Sequence, residues 1–322
     1  LGLISEGSVA VTAILIIAVL TALNASGVRR GGLAQNVITF VKVSLIVAVI
    51  VMPLVLAGPQ FERLVSASVQ STGSRAALQN VGTAMILCLF SFSGAYFVTH
   101  VAEDVREPEK TIPRAIVVGV LVVLALYLSI NVAYLVTLPF DEVVQSERIA
   151  ADMMGSVLGE RGALVTAFVI FCSAIGALNT QLLSYPRIPF ALARDGYLFR
   201  GIAKISRRSK APANAIILVG GLASIFALTG SYSEILSFVA FVSHFFICLA
   251  VLAVIMLRIR EPDLPRPYRV WGYPLTPVAF LVVSAVYLAN LLFTRPLGVA
   301  VGVVMVLAGL PFYFYWRRVP VR

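Results

Sequence analysis

Charge is scarce in this sequence: 12% of its 322 residues are charged, against about a quarter in soluble domains. A water-soluble surface cannot be built from 25 Lys and Arg and 15 Asp and Glu on a chain of this length, and 60% of the residues are hydrophobic. These values exclude intrinsic disorder and a nucleic-acid-binding domain. They indicate that lipid is the solvent for most of the chain, so membrane lipid is an expected partner and nucleic acid is not.

Catalytic and metal-binding motifs are also lacking. The sequence contains no HExxH, GxSxG or P-loop motif and has only two histidines. Cys88, Cys172 and Cys248 lie in apolar stretches without CxxC spacing, as small core residues do. We therefore predict that the protein is not an enzyme and that it binds no metal and no cofactor.

Long apolar runs are what the sequence does have. A helix needs about 20 apolar residues to cross the hydrocarbon core, and nine segments qualify or nearly do so. The sequence therefore predicts an all-α polytopic membrane protein with nine transmembrane helices. The predicted spans are Ser8–Gly27, Ile38–Ala57, Ala84–Ala102, Ile116–Leu138, Leu164–Ser184, Ala215–Leu228, Ile235–Leu257, Leu275–Leu292 and Leu297–Tyr315.

The basic residues indicate the orientation of these spans. Nineteen of the 25 Lys and Arg fall in one set of alternate loops and in the C-terminal tail, five fall on the opposite side, and Lys42 lies inside a span. Because basic residues concentrate in cytoplasmic loops, we predict a cytoplasmic C-terminus. The chain opens at Leu1 without a leader pattern, and we expect it to be a piece of a longer protein.

Polar and small residues interrupt the third predicted span. The stretch is Phe90-Ser91-Phe92-Ser93-Gly94-Ala95-Tyr96. Serines and a glycine at this depth indicate either close packing between helices or an unwound segment that faces a ligand. An unwound segment offers free N–H groups to a carboxylate and free carbonyl groups to an ammonium.

Lys42 and His244 lie inside predicted spans, and each has two interpretations. Lys42 either faces the interior of the helix bundle or extends to the lipid headgroups. His244, which follows Ser243, is either a packing residue or part of a site.

Two further patterns are ambiguous in the same way. Ser173, Gly176 and Asn179 recur at three-residue spacing, which is typical of helix packing or of a cavity wall. Glu103 and Asp104 follow the third span, where they form either a solvated turn or a gate held by ion pairs to nearby arginines.

These residues together resemble the amino acid–polyamine–organocation (APC) superfamily, and most closely its bacterial amino acid permeases. The resemblance covers essentially the whole chain. The motifs that carry it are Phe90-Ser91-Phe92-Ser93-Gly94 followed by Glu103-Asp104, Pro108 and Ile112-Pro113-Arg114-Ala115-Ile116; Val169, Ser173, Gly176 and Asn179 followed by Arg187 and Ala193-Arg194-Asp195-Gly196-Tyr197-Leu198; and Thr39-x-x-Lys42.

This resemblance implies a five-plus-five inverted-repeat transporter fold, of which the nine spans would be helices four to twelve. The single membrane domain, 1–322, would contain the last two helices of the first repeat (8–57), the second repeat (84–257), two accessory helices (275–315) and a cytoplasmic tail (316–322). Helices one to three, which carry the other half of the substrate site, would be absent.

The resemblance also implies a function and a set of site residues. The function is alternating-access transport of an amino acid, sodium-independent and either proton-coupled or an exchange, in the bacterial inner membrane. A membrane sensor or accessory subunit on the same scaffold is the alternative. Lys42 and Ser173 would meet where sodium binds in coupled relatives, and Glu103, Asp104 and Arg187 would form the cytoplasmic gate. Substrate would contact Phe90 (an aromatic gate), Ser91, Phe92, Ser93, Gly94, Asn179, Ser243 and His244.

Overall fold

The computed structural model describes residues 6–66, 88, 91–92, 94–228 and 232–317, and all regular secondary structure in them is helical. The helices, numbered here along the chain, are α1 Glu6–Ala25, α2 Val28–Leu56, α3 Glu62–Ser66, α4 Phe97–His100, α5 Pro108–Thr137, α6 Phe140–Gln145, α7 Ile149–Leu158, α8 Glu160–Ser184, α9 Arg187–Arg194, α10 Ala213–Leu228, α11 Tyr232–Arg260, α12 Leu275–Thr294 and α13 Pro296–Arg317. A short 3₁₀ turn, Ala102–Asp104, follows α4.

Seven helical segments of this described part are long and apolar enough to cross a membrane. They are Ser8–Ala25, Arg29–Leu56, Pro108–Thr137, Glu160–Arg194, Phe238–Arg260, Leu275–Thr294 and Pro296–Trp316. The predicted sixth span is the shorter apolar helix α10. The predicted third span, Ala84–Ala102, is described only at residues 88, 91–92 and 94–102. The protein is thus an all-α polytopic membrane protein, and the total of nine spans stays a prediction.

The chain separates into two compact units, each described here by itself. The larger unit contains Thr12–Ile188 and Lys204–Gly221, and its core lies where α2, α5, α7 and α8 meet. Ala133, Met153 and Met154 are completely buried there. Most other apolar side chains on these helices are exposed in the isolated chain, as expected for surfaces that lipid covers.

The smaller unit contains Pro189–Ala203, Leu222–Arg322 and the described residues of Leu1–Val11. Helices α11, α12 and α13 pack against one another in it. At Gly302 on α13, an added Cβ would lie 3.0 Å from the Val242 side chain on α11, so a small residue permits this close approach.

Candidate functional site

A cavity of about 690 Å³ lies within the larger unit, beside the interrupted third span. Its volume falls in the range of small-molecule sites, roughly 300–1,000 Å³. Among its described lining residues Lys42 is the one charged side chain, and the rest are apolar or neutral. The lining residues are Thr39, Lys42, Ser91, Phe92, Gly94, Ala95, Phe97, Val98, Val101, Ala115, Ile116, Gly119, Val120, Val123, Tyr127, Thr180, Leu183 and Ser184.

The backbone along one wall of this cavity is not a continuous α-helix. Phe92 and residues 94–96 form turns, and α4 then continues for only four residues before the 3₁₀ turn. Ser91, Phe92 and Gly94, three of the predicted substrate contacts, line the cavity here. The predicted contacts Phe90 and Ser93 lie outside the described residues.

Side chains of neighbouring helices bind the backbone groups that this irregular segment frees. The Tyr127 hydroxyl on α5 donates to the Ser91 carbonyl at 3.1 Å, and the Ser184 hydroxyl on α8 donates to the Phe97 carbonyl at 3.1 Å. The Tyr127 ring also packs edge-on against Phe92, with 5.4 Å between ring centroids. Unpaired backbone groups are costly at membrane depth, so these contacts stabilise the interruption.

Tyr127→Phe tests this stabilisation. The variant keeps the ring packed on Phe92 and removes the hydrogen bond to Ser91. A hydrogen bond of this kind contributes about 1 kcal/mol, so we expect a lower melting temperature and about a fivefold fall in substrate affinity. Ligand binding and thermal unfolding of the purified protein measure both values. Tyr134→Phe, on the same helix but outside the cavity lining, is the matched control, and equal losses in the two variants would contradict the role of Tyr127.

Lys42 reaches the cavity along the face of α2 that packs on α8. A Cβ added at Gly176 on α8 would lie 2.8 Å from Ile38 Cγ2 and 3.7 Å from Lys42 Cδ, so the glycine leaves room for both side chains. The structure describes no hydrogen bond or ion pair to the Lys42 ammonium. Ser173 is half-buried one turn before Gly176; it does not line the cavity, and no described contact joins it to Lys42.

Asn179 is placed differently from the expectation that it contacts substrate. It is completely buried and is absent from the described cavity lining. Its Oδ1 accepts from Asn24 Nδ2 at 2.8 Å, and its Nδ2 donates to Gln35 Oε1 at 2.8 Å. The amide therefore joins α8 to α1 and α2, which is the packing alternative for the stripe of small polar residues.

The predicted gate residues Asp104 and Arg187 meet in the structure. Arg187 Nε and Nη2 lie 3.1 and 2.5 Å from Asp104 Oδ2. The arginine side chain is 13% exposed and the aspartate 44%, so the pair is partly shielded from solvent. Glu103 precedes Asp104 in the 3₁₀ turn.

Ser243 and His244 lie on α11 in the smaller unit. His244 packs against the rings of Tyr287 and Phe280 on α12, with centroid distances of 4.6 and 5.9 Å. Its Nε2 is buried and has no hydrogen-bond partner in the described part of the chain.

Comparison with known proteins identifies the family. The sequence profile described as "Amino acid permease" matches residues 4–315. The chain belongs to the amino acid permease family. Its relatives place the chain in the APC superfamily, as its loop motifs suggested, and these relatives are transporters rather than enzymes.

Three relatives illustrate the similarity of the chain to known proteins. It is 29% identical to the human cystine/glutamate transporter over 313 residues and 28% identical to the rat b(0,+)-type amino acid transporter 1 over 296 residues. It is 29% identical to the human Asc-type amino acid transporter 1 over 307 residues. These alignments cover 94%, 92% and 94% of this chain and 60%, 60% and 58% of the three relatives. The chain thus spans about three-fifths of the length of these relatives.

Proposed function

We propose that the protein carries out secondary active transport of amino acids by alternating access, with the substrate held in the cavity of the larger unit. The observation that carries this proposal is the position of the cavity: it lies against an interrupted helix in a chain of the amino acid permease family. Turns at this depth leave backbone groups available for a ligand. At Gly94 an added Cβ would meet no atom of the described residues within 4 Å, which supports an approach of the amino acid to the backbone there.

Lys42 supports a sodium-independent mechanism, either proton-coupled or an exchange. A lysine charge at mid-membrane costs about 2.5–3.5 kcal/mol to insert, and such residues usually serve a function. Lys42 lines the cavity without an anionic partner among the described residues. An ammonium in this position supplies a fixed positive charge in place of a sodium ion. We propose that Ser173 belongs to the same coupling site as Lys42, although it does not line the cavity.

The experiment is counterflow into proteoliposomes that contain the purified full-length protein. Vesicles loaded with a mixture of amino acids are diluted into sodium-free buffer, and uptake of each labelled amino acid is measured. We expect exchange of one group of amino acids without sodium. Ligand binding with no flux, even in exchange, would overturn transport and favour a membrane sensor or accessory subunit. Flux that requires sodium would overturn the proposed role of Lys42.

We also propose that Asp104 and Arg187 close the cytoplasmic side of the cavity in one state of the cycle. Their ion pair joins the segment after the interrupted span to the chain that follows α8. The distribution of Lys and Arg supports a cytoplasmic location for this ion pair and for the C-terminus. The membrane itself is proposed to be a bacterial inner membrane, from the resemblance of the loop motifs.

Charge exchange tests this gate. Asp104→Arg alone places two cations together, and we expect uptake to fall about tenfold. The double variant Asp104→Arg, Arg187→Asp restores an ion pair and should recover a large part of the uptake. Lys110→Met, which breaks the exposed 3.3 Å pair between Lys110 and Glu107, should leave uptake unchanged. Failure of the double variant to recover any uptake, at normal expression and folding, would argue against the gate.

A further inference from the structure

Four polar side chains form a hydrogen-bonded chain from the interior of the larger unit to the cavity. Asn24 Nδ2 lies 2.8 Å from Asn179 Oδ1, and Asn179 Nδ2 lies 2.8 Å from Gln35 Oε1. Gln35 Nε2 lies 3.1 Å from the hydroxyl of Thr39, which lines the cavity. This series of hydrogen bonds connects α1, α8 and α2.

The donor and the acceptor in each hydrogen bond of this series follow from the contacts at its buried end. Asn24 Nδ2 also lies 2.9 Å from the Leu20 carbonyl, which can only accept a hydrogen bond. Asn24 must therefore turn its NH₂ group toward Leu20 and Asn179, and Asn179 must present its oxygen in return. The same reasoning makes Asn179 donate to Gln35 and Gln35 donate to Thr39.

Thr39 consequently accepts a hydrogen bond and keeps its own hydrogen to donate. Threonines in helices commonly donate to the carbonyl four residues earlier. Thr166, Thr180 and Thr294 do so, at 2.9, 2.9 and 2.8 Å. The structure describes no such bond for Thr39. Thr39 lines the cavity one helical turn before Lys42, whose ammonium is also a donor.

We propose that Thr39 is a substrate-recognising residue whose hydroxyl donates a hydrogen bond to an oxygen of the transported amino acid. Asn24, Asn179 and Gln35 are positioning residues that keep this hydroxyl oriented as a donor. The inference rests on the proposed transport function and adds a specificity determinant to it. The acceptor is either the α-carboxylate, common to all substrates, or a side-chain oxygen.

The first test compares Thr39→Val with Thr39→Ser in counterflow assays of the full-length protein. Valine has the shape of threonine without the hydroxyl, and we expect about a tenfold rise in KM with little change in kcat. Serine keeps the hydroxyl and should recover most of the lost affinity. A loss for every substrate assigns the bond to the α-carboxylate, and a loss confined to oxygen-bearing side chains assigns it to the side chain. Thr294→Val, outside the cavity lining, is the control.

The second test reverses the last hydrogen bond of the series, the one between residue 35 and Thr39. In Gln35→Glu the carboxylate can only accept, so it accepts from Asn179 and takes the Thr39 hydrogen away from the cavity. We expect about the same tenfold rise in KM as in Thr39→Val, and a smaller rise in Gln35→Met, where Thr39 keeps its hydrogen. The double variant Gln35→Glu, Thr39→Val should lose no more than either single variant.

Three results would overturn the inference while leaving the transport proposal intact. They are an unchanged KM in Thr39→Val for every substrate, a fully additive double variant, or equal effects of Gln35→Glu and Gln35→Met. Absence of flux in the unmodified protein would instead overturn transport itself.

Discussion

Gly119→Phe is expected to abolish amino acid uptake while leaving the protein folded. Gly119 lines the cavity on α5, and a Cβ added there would meet no atom of the described residues within 4 Å. We therefore expect the new ring to enter the cavity space that a substrate needs. Glycine in a helix interior is about 1 kcal/mol less favourable than alanine, so the backbone tolerates the change. Counterflow uptake and thermal unfolding of the same preparation measure the two effects.

Gly309→Phe is the matched control. Gly309 lies on α13 and also has open space around an added Cβ, but it is not part of the cavity lining. Uptake by this variant should equal that of the unmodified protein. A folded Gly119→Phe variant with normal uptake would show that the substrate does not use this cavity.

Lys42→Met is expected to stop transport and to make the protein more stable. The lysine lines the cavity, and no described acidic residue pairs with it. Removing an unpaired charge from membrane depth saves part of its insertion cost of about 2.5–3.5 kcal/mol. Methionine has a similar length and keeps the packing of the aliphatic stem near Gly176. A gain in stability with a loss of activity is typical of a residue retained for function.

The measurements are the melting temperature and sodium-free counterflow, and we expect uptake to fall at least about a hundredfold because the fixed charge of the coupling site is lost. Lys110→Met removes an exposed lysine and should change neither value. Normal uptake by Lys42→Met would contradict the proposed role of Lys42. A large loss of stability would instead show that Lys42 has a structural function.

The helical spans could be predicted from hydropathy because each depends on local composition. Their limits could not, because a helix does not end where the hydrocarbon does. The predicted span Ile38–Ala57 is the helix Val28–Leu56, which includes Arg29 and Arg30 in its first turn. The turn before it is at Gly27, whose φ of 150° favours glycine.

The site could be predicted only in part. The interruption near Ser91 and Gly94 was visible as polar residues in an apolar run, and Lys42 as a charge inside a span. The contribution of Tyr127 depends on a contact with Ser91 across 36 positions, and that of Asn179 on contacts with Asn24 and Gln35 across 155 and 144 positions. Pattern reasoning left packing and cavity wall open for Asn179 because both use the same small polar residues.

Gly119 and Thr39 show the same limit. A single glycine in the apolar helix α5 has no periodic signal, and its value comes from the space beside it. Thr39 was visible as part of the spacing Thr39-x-x-Lys42, but its free donor follows from a chain of bonds that begins at Leu20. Such properties arise from tertiary contacts.

The central claim is that an amino acid occupies the cavity at the interrupted helix, and substrate protection of a cysteine at Gly94 tests it most directly. Gly94 lines the cavity and has open space for a side chain. Gly94→Cys is made in a transport-competent background in which every native cysteine of the full-length protein, including Cys88, Cys172 and Cys248, is replaced by serine. Its rate of labelling by a maleimide is measured. We predict that a saturating transported amino acid slows labelling at least about tenfold and leaves a Gly309→Cys control unchanged. Equal labelling rates with and without substrate would contradict the claim.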